Sequence, residues 1–442
     1  MLSKKIVIFQ GKIGGCHTAG AGVRSLQMRS SENGGLILCG FASEDARRYI
    51  FRTPVNTPRP KLPADDQRKL DALHTRLSGL RRYYVGYPCN EDFDFSELLP
   101  FFEFAINNVG DPFGGSNIPL NTHEFEREVL ADFAEFTHAP KENGKDGWWG
   151  YVTSGGTEGN MYGLYVAREL FPEGICYFSE DTHYSVAKVL RLQHTRNIML
   201  KSQQNGELDY TDLRETLRIH RDVPPIIFAN IGTTMKGAVD SLAKIRAVLD
   251  DLAITNSYIH ADAALSGMIL PFVERPQSWN FAAGADSIAI SGHKMLGSPL
   301  PSGVVLARKS HVDRIARSIE YIGALDTTIA GSRSAFGPLF LWYRLRTLGR
   351  EGITKMVRGS LERAAYAVEA LRARGIDAWR NENSVTVVFP RPPEAVMKKW
   401  IIAPKRGIGH LITMPHVTKD IVDEFVADFA ASIAAEKKSR TS

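Results

Sequence analysis

Lys294 stands in the stretch SGHKMLGSPLPSG, Ser291 to Gly303. An apolar run, Ser287 to Ile290, delivers it beside Ser291, Gly292 and His293 into a loop rich in glycine and proline. Such a run reads as a short buried strand. A lone loop lysine is usually just solvated, but a lysine at the mouth of a buried strand can lose its proton and form a Schiff base with a carbonyl cofactor. Two further features bear on the choice. Gly155, Gly156 and Thr157 open a helical stretch after a short apolar run, and glycines there let backbone N–H groups approach an anion at a helix N-terminus. Asp262 ends another apolar run and is followed by the small residues Ala263, Ala264 and Gly267; a carboxylate there needs a cationic or N–H partner. An anion cradle, a buried aspartate and a lysine on a following strand together meet the needs of pyridoxal 5'-phosphate. The phosphate takes the helix N-terminus, the aspartate keeps the pyridine nitrogen protonated, and the lysine holds the aldehyde. His183, at the end of a further apolar run, is placed to stack on the ring.

The elements that must position these residues follow from Gly150 onward. GYVTSGGTEGNMYGLYVARELF reads as strand, glycine turn and helix, and CYFSEDTHYSVAKVLRL repeats the design. PPIIFANIGTT, SYIHADAALSG, SIAISGHK and SGVVLARK supply further short β-rich runs. Strands separated by helices predict an α/β fold with a mostly parallel sheet covered on both faces. Ligands in such sheets bind at the carboxyl ends of the strands. Ser154 to Thr157, His183, Thr233, Thr234, Asp262 and Ser291 to Lys294 fall there.

Upstream, Asp65 to Tyr84 is amphipathic at helical spacing, with Leu70, Leu73, Leu77 and Leu80 on one face. A second helix is expected near Ser96 to Asn107, and a third from Thr122, which would serve as its N-cap. The clusters Asn107–Asn108 and Asn121–Thr122–His123 sit at helix ends and read first as caps, with substrate contact as the alternative. After Gly331, a long helical stretch, the strand-like pieces DAWRN and SVTVVFP, and a final helix from Thr418 to about Lys437 predict a smaller C-terminal α/β domain. The expected division is a poorly ordered extension and linker over 1–63, a helical segment over 64–120, a large cofactor-binding domain over 121–335 and a small domain over 336–442.

The totals exclude several classes. The chain has 442 residues, 43% hydrophobic and 23% charged, with a net charge of +5 and no long basic run. This is an ordinary globular balance, with no sign of a nucleic-acid or membrane partner. Cys16, Cys39, Cys89 and Cys176 form no CxxC pair, which argues against a zinc site or a disulfide framework and fits a reducing, cytoplasmic setting. No metal is expected. No window approaches the roughly 18 consecutive apolar residues of a membrane span. The start is basic and free of acid, with Lys4, Lys5, Lys12, Arg24 and Arg29, and reads as an extension rather than a targeting peptide. Gly11, Gly14 and Gly15 do not make a dinucleotide fingerprint.

Taken in order, WGYVTSGGTEGNMYG, DTHYSVAKVLRL, IIFANIGTTMKGAVD, YIHADAALSGMILPFV, SIAISGHKMLGSPLPSG, EYIGALDTTIAGSR and WRNENSVTVVFP resemble the pyridoxal-phosphate-dependent group II amino-acid decarboxylases, nearest to the bacterial histidine decarboxylases. The likeness runs from about Asp65 to the C-terminus. It implies a fold type I, aspartate-aminotransferase-like large domain. Lys294 would hold the cofactor as an imine, Asp262 would pair with the pyridine nitrogen, Ala264 would pack beneath the ring and His183 would stack above it. Gly155, Gly156, Thr157, Ser291 and His293 would surround the phosphate, and Thr234 would sit near the ring oxygen. Tyr321 matches a tyrosine on a mobile loop that returns a proton to the substrate carbon. The family is usually homodimeric with sites at the interface, so Tyr321 and the turn Gly331–Ser332–Arg333 would serve the partner's site.

The expected reaction is decarboxylation of L-histidine to histamine. L-serine is the alternative, because the plant serine decarboxylases share GDPF and NIGTTxKGAVD. Relatives typically read GSRNGH where this chain has Ser334, Ala335 and Phe336, so Phe336 joins Asn121, Thr122 and His123 as a candidate substrate residue. An aminotransferase or carbon–sulfur lyase on the same fold, and a non-catalytic homologue, are the remaining readings.

Overall fold

The computed structural model describes residues 61–114, 116–141, 147–315, 317–319 and 324–441, together with the strands Gln27–Ser30 (β1) and Leu36–Cys39 (β2). Chain contacts divide it into two units, Met1–Leu62 and Pro63–Ser442. In the first, β1 and β2 pair antiparallel with Gln27 opposite Cys39. The expectation of a poorly ordered extension otherwise lies outside the described residues.

The second unit begins with helix α1, Ala64–Arg81. Its four leucines all lie at its surface, and none of its residues is buried. The expected second helix is a 3-10 helix, Ser96–Glu103, with Pro100 inside it. Proline lacks the N–H that an α-helix needs, and the chain turns instead into strand β3, Asn107–Val109. Helix α2, His123–Phe136, follows. Thr122 occupies its N-cap position, but its hydroxyl donates to the Ala335 carbonyl at 2.8 Å. The side-chain acceptor for the His123 N–H is Asn121 Oδ1, at 3.1 Å.

The alternation then runs β4 (Trp148–Thr153), α3 (Gly156–Leu170), β5 (Ile175–Ser179), α4 (Ser185–Leu192), β6 (Asn197–Leu200), α5 (Tyr210–Ile219), β7 (Pro225–Asn230), α6 (Leu242–Asp251), β8 (Tyr258–Asp262), β9 (Ser287–Ser291) and β10 (Gly303–Arg308). These seven strands form one sheet in the order β4-β10-β9-β8-β7-β5-β6. Strand β10 runs antiparallel to both of its neighbours, and the other pairings are parallel.

Side chains alternate between two cores, as strand geometry requires. Val152, Ile227, Ile288, Ile290, Val304 and Leu306 enter one core, and Tyr151, Phe228, Val305 and Ala307 the other. Helix α3 lies close on β8, β9 and β10 because glycines line its inner face. A Cβ on Gly159 would stand 2.8 Å from the Ala289 methyl.

Beyond the sheet, β11 (Arg317–Ile319) pairs with β12 (Ala324–Asp326), and β13 (Ser332–Ser334) pairs with β3, placing Arg333 opposite Asn108. Helix α7, Phe336–Ala373, breaks at Gly349, whose φ of 58° and ψ of 178° are not helical. The smaller C-terminal domain sets the antiparallel pair β14 (Thr386–Pro390) and β15 (Ile408–Ile412) with helices α8 (Glu394–Lys399) and α9 (Lys419–Thr441). The expected DAWRN strand is reduced to a single bridge, Trp379 to Val388.

Candidate active site

Five strands end at one cavity of about 810 Å³. Strand β4 delivers Ser154, Gly155 and Gly156 to it, and the loops after β5 and β7 bring His183, Thr233 and Thr234. Strand β8 brings Asp262, and β9 brings Ser291, His293 and Lys294. The parallel sheet thus gathers at its carboxyl edge residues far apart in sequence.

Gly155 has φ +139°, a conformation side chains rarely adopt, and it turns the chain from β4 into α3. A Cβ on Gly156 would lie 2.7 Å from Ser291 Oγ, so that hydroxyl faces the first turn of the helix directly. The first N–H groups of a helix have no partner within it. Together with Ser291 and the nearby His293 ring they form a cradle for an anion. His293 Nδ1 lies 2.8 Å from the Ser302 carbonyl, and burial lowers the affinity of the ring for a proton.

Asp262 is 8% exposed at the end of β8. Its Oδ2 accepts from Asn160 Nδ2 at 2.8 Å and its Oδ1 from the Ala264 N–H at 3.2 Å. Across the cavity, burial lowers the Lys294 pKa, with Asp262 and Cys89 opposing the shift. A partly buried amine that sheds its proton more readily is suited to carbonyl chemistry.

His183 Nδ1 contacts Ser185 Oγ at 2.8 Å, and its ring rests against Tyr184 with centroids 4.4 Å apart. Burial, then the charge of Lys294, favour its neutral form, while Asp262 opposes this. Behind the site, Asp240 accepts from the Asn230 N–H at 2.7 Å, and burial raises its pKa to about 6. This anchors the end of β7.

Other candidates are placed elsewhere. Asn121, Thr122, His123 and Phe336 do not line this cavity within one chain. Thr122 and His123 are buried, Thr122 beside Asn108, while Phe336 stacks on Phe102 with centroids 4.6 Å apart. Arg333 is buried against Glu126 and donates to the Gly110 carbonyl at 3.0 Å and the Val152 carbonyl at 3.3 Å, so within its own chain it ties the end of β3 to β4. Tyr321 lies outside the described residues.

The cavity also has walls that motif reading missed. Tyr87, Pro88 and Cys89 come from the segment after α1, and Ser384, Val385, Thr386, His410 and Ile412 from the C-terminal domain. The turn-forming GYP sequence and the histidine within an apolar strand were the available signals.

The site fits pyridoxal 5'-phosphate on its own geometry. An anion cradle that a side chain would fill, a carboxylate held by two N–H donors and a partly buried amine open on the same space.

Residues 116–390 match the conserved domain of the pyridoxal-dependent decarboxylases. The chain is 46% identical to the histidine decarboxylase of Pseudomonas entomophila, over 83% of this chain and 92% of that protein. It is 47% identical to the histidine decarboxylase of Morganella morganii, over 83% of this chain and 98% of that one. Among solved structures, L-methionine decarboxylase from Streptomyces sp. 590, complexed with L-methionine methyl ester, superposes with a TM-score of 0.77 at 26% identity, covering 85% of this chain and 96% of that one. Lactobacillus brevis glutamate decarboxylase shares the fold, with a TM-score of 0.70 at 18% identity over 88% of this chain and 96% of that one.

Proposed function

The chain belongs to the pyridoxal-dependent decarboxylase family, and from that premise we propose that it converts L-histidine to histamine and carbon dioxide. The observation that carries the chemistry is the opening of Asp262, Lys294 and the glycine-led start of α3 on one cavity. The substrate assignment is supported by the 46–47% identity to histidine decarboxylases over most of both chains.

When bound, pyridoxal 5'-phosphate supplies a protonated ring that takes up the electron pair left as the α-carboxylate departs. The protein's part is positioning and proton control. Gly155, Gly156, Thr157, Ser291 and His293 would hold the phosphate. Asp262 would keep a proton on the ring nitrogen, His183 would cover one face of the ring, Ala264 would support the other, and Thr234 would contact the ring oxygen. Lys294 would hold the aldehyde, and its lowered proton affinity suits the amine to that role. The apolar walls from the segment after α1 and from the C-terminal domain exclude water from the reacting carbon. The partner subunit's Tyr321 would return the proton to that carbon.

The molecule acts as a homodimer in the cytoplasm. The leucine row of α1 and the exposed Phe101, Phe102 and Phe104 support pairing, because apolar surface of this extent needs a cover.

Lys294→Ala tests the assignment. The variant is expected to bind the cofactor without covalent attachment and to form no amine. Full activity in this variant would remove the proposal.

A further inference from the structure

The hydrogen bonds behind Asp262 run in one direction. Asn160 Nδ2 donates to Asp262 Oδ2, which turns the amide oxygen of Asn160 to His260 Nε2 at 3.0 Å. An amide oxygen only accepts, so Nε2 carries the proton of a neutral imidazole. Nδ1 is then an acceptor, and Ser287 Oγ, 2.7 Å away, is its donor. His260 and Ser287 are fully buried and Asn160 is 2% exposed, so no solvent competes for these bonds. The fold makes room for the chain as well: a Cβ on Gly163, one turn along α3 from Asn160, would overlap the His260 ring. With the imidazole proton moved to Nδ1, Asn160 would turn its NH₂ to His260. Its oxygen would then face the Asp262 carboxylate, acceptor against acceptor.

We propose that His260 is a positioning residue for the cofactor's ring nitrogen: with its Nδ1 accepting a hydrogen bond from the Ser287 hydroxyl, its Nε2–H holds the amide of Asn160 and so keeps the Asp262 carboxylate ready to face that nitrogen. The inference rests on the reading of Asp262 as the partner of the pyridine nitrogen. It assigns no direct contact between His260 and the cofactor.

The test uses full-length apoprotein titrated with pyridoxal 5'-phosphate isotopically labelled at the ring nitrogen. It compares wild type, His260→Phe and Ser287→Ala by dissociation constant and by the ring-nitrogen NMR signal. Wild type is expected to bind with a protonated ring nitrogen. His260→Phe is expected to bind about tenfold more weakly, the size of one lost hydrogen bond to a charged group, with its signal displaced toward unprotonated pyridine. Ser287→Ala, which changes little in shape, should move both readouts the same way by less, and it decides the matter alone if His260→Phe does not fold. Variants that match a cofactor-binding wild type in affinity and signal overturn the inference alone. A wild type that does not take up the cofactor overturns the reading of the site, and the inference with it.

Discussion

The backbone N–H of Asn90 donates to the carbonyl of Lys294 across 3.2 Å, and the Asn90 side chain donates to the next carbonyl, that of Met295, at 2.9 Å. The segment after α1 is therefore bonded directly to the lysine loop, and Asn90 is 2% exposed. Asn90→Ala leaves a buried carbonyl short of its donor and is expected to lower stability by about 1–3 kcal/mol. Denaturant titration of the apoprotein measures this. The cofactor should also bind more weakly, because the loop that carries Lys294 loses its tether.

Gly163 and Gly79 offer a matched pair. Gly163→Ala forces a methyl into the His260 ring and is expected to cost about 1–3 kcal/mol by overpacking. Gly79 lies inside α1 with nothing within 4 Å of its Cβ position, so Gly79→Ala should raise stability by up to about 1 kcal/mol through helix propensity. Thermal melts of the two variants are expected to shift in opposite directions.

Burial lowers the His260 pKa from 6.5 to about 4. Above pH 6.5 the ring is neutral in folded and unfolded chains and contributes no slope. Between these values the unfolded chain binds a proton that the folded chain refuses, so stability falls as pH falls, by at most about 3 kcal/mol. Below the folded value both states are protonated and the slope ends. His123, His183, His293 and His410 also have lowered values, but they are common to wild type and His260→Phe. Urea titrations of the two proteins down the pH scale should therefore show wild type losing the more stability between about pH 6.5 and 4.5.

The mostly parallel sheet, its layers and the edge that carries the candidate site were legible in the sequence because buried strands write themselves as short apolar runs ending in polar residues. That Asp262, His183 and Lys294 lie at one edge follows from that pattern together with the tendency of parallel sheets to bind ligands at their carboxyl ends. Other features depend on pairings that no local pattern encodes. The strand β3 replaces an expected helix end because Pro100 breaks the helix and Ser332–Ser334 offers a partner. Thr122 sits at an N-cap position, yet its hydroxyl goes to Ala335, a residue more than two hundred positions away. The cavity walls from Tyr87 to Cys89 and from Ser384 to Thr386 arrive from the two ends of the second unit, so apolar periodicity could place them in a core but not at a site. Leu70, Leu73, Leu77 and Leu80 show the converse: their spacing marks an apolar helix face, and among the described residues that face is left exposed.

The most direct measurement is amine and carbon dioxide release by the purified protein, supplied with pyridoxal 5'-phosphate, across a panel of L-amino acids. Histamine from L-histidine is expected, equimolar with carbon dioxide, at a kcat/KM well above that for any other member of the panel. Ethanolamine from L-serine as the preferred product would contradict the substrate assignment, and keto acid without carbon dioxide would contradict the decarboxylase mechanism itself.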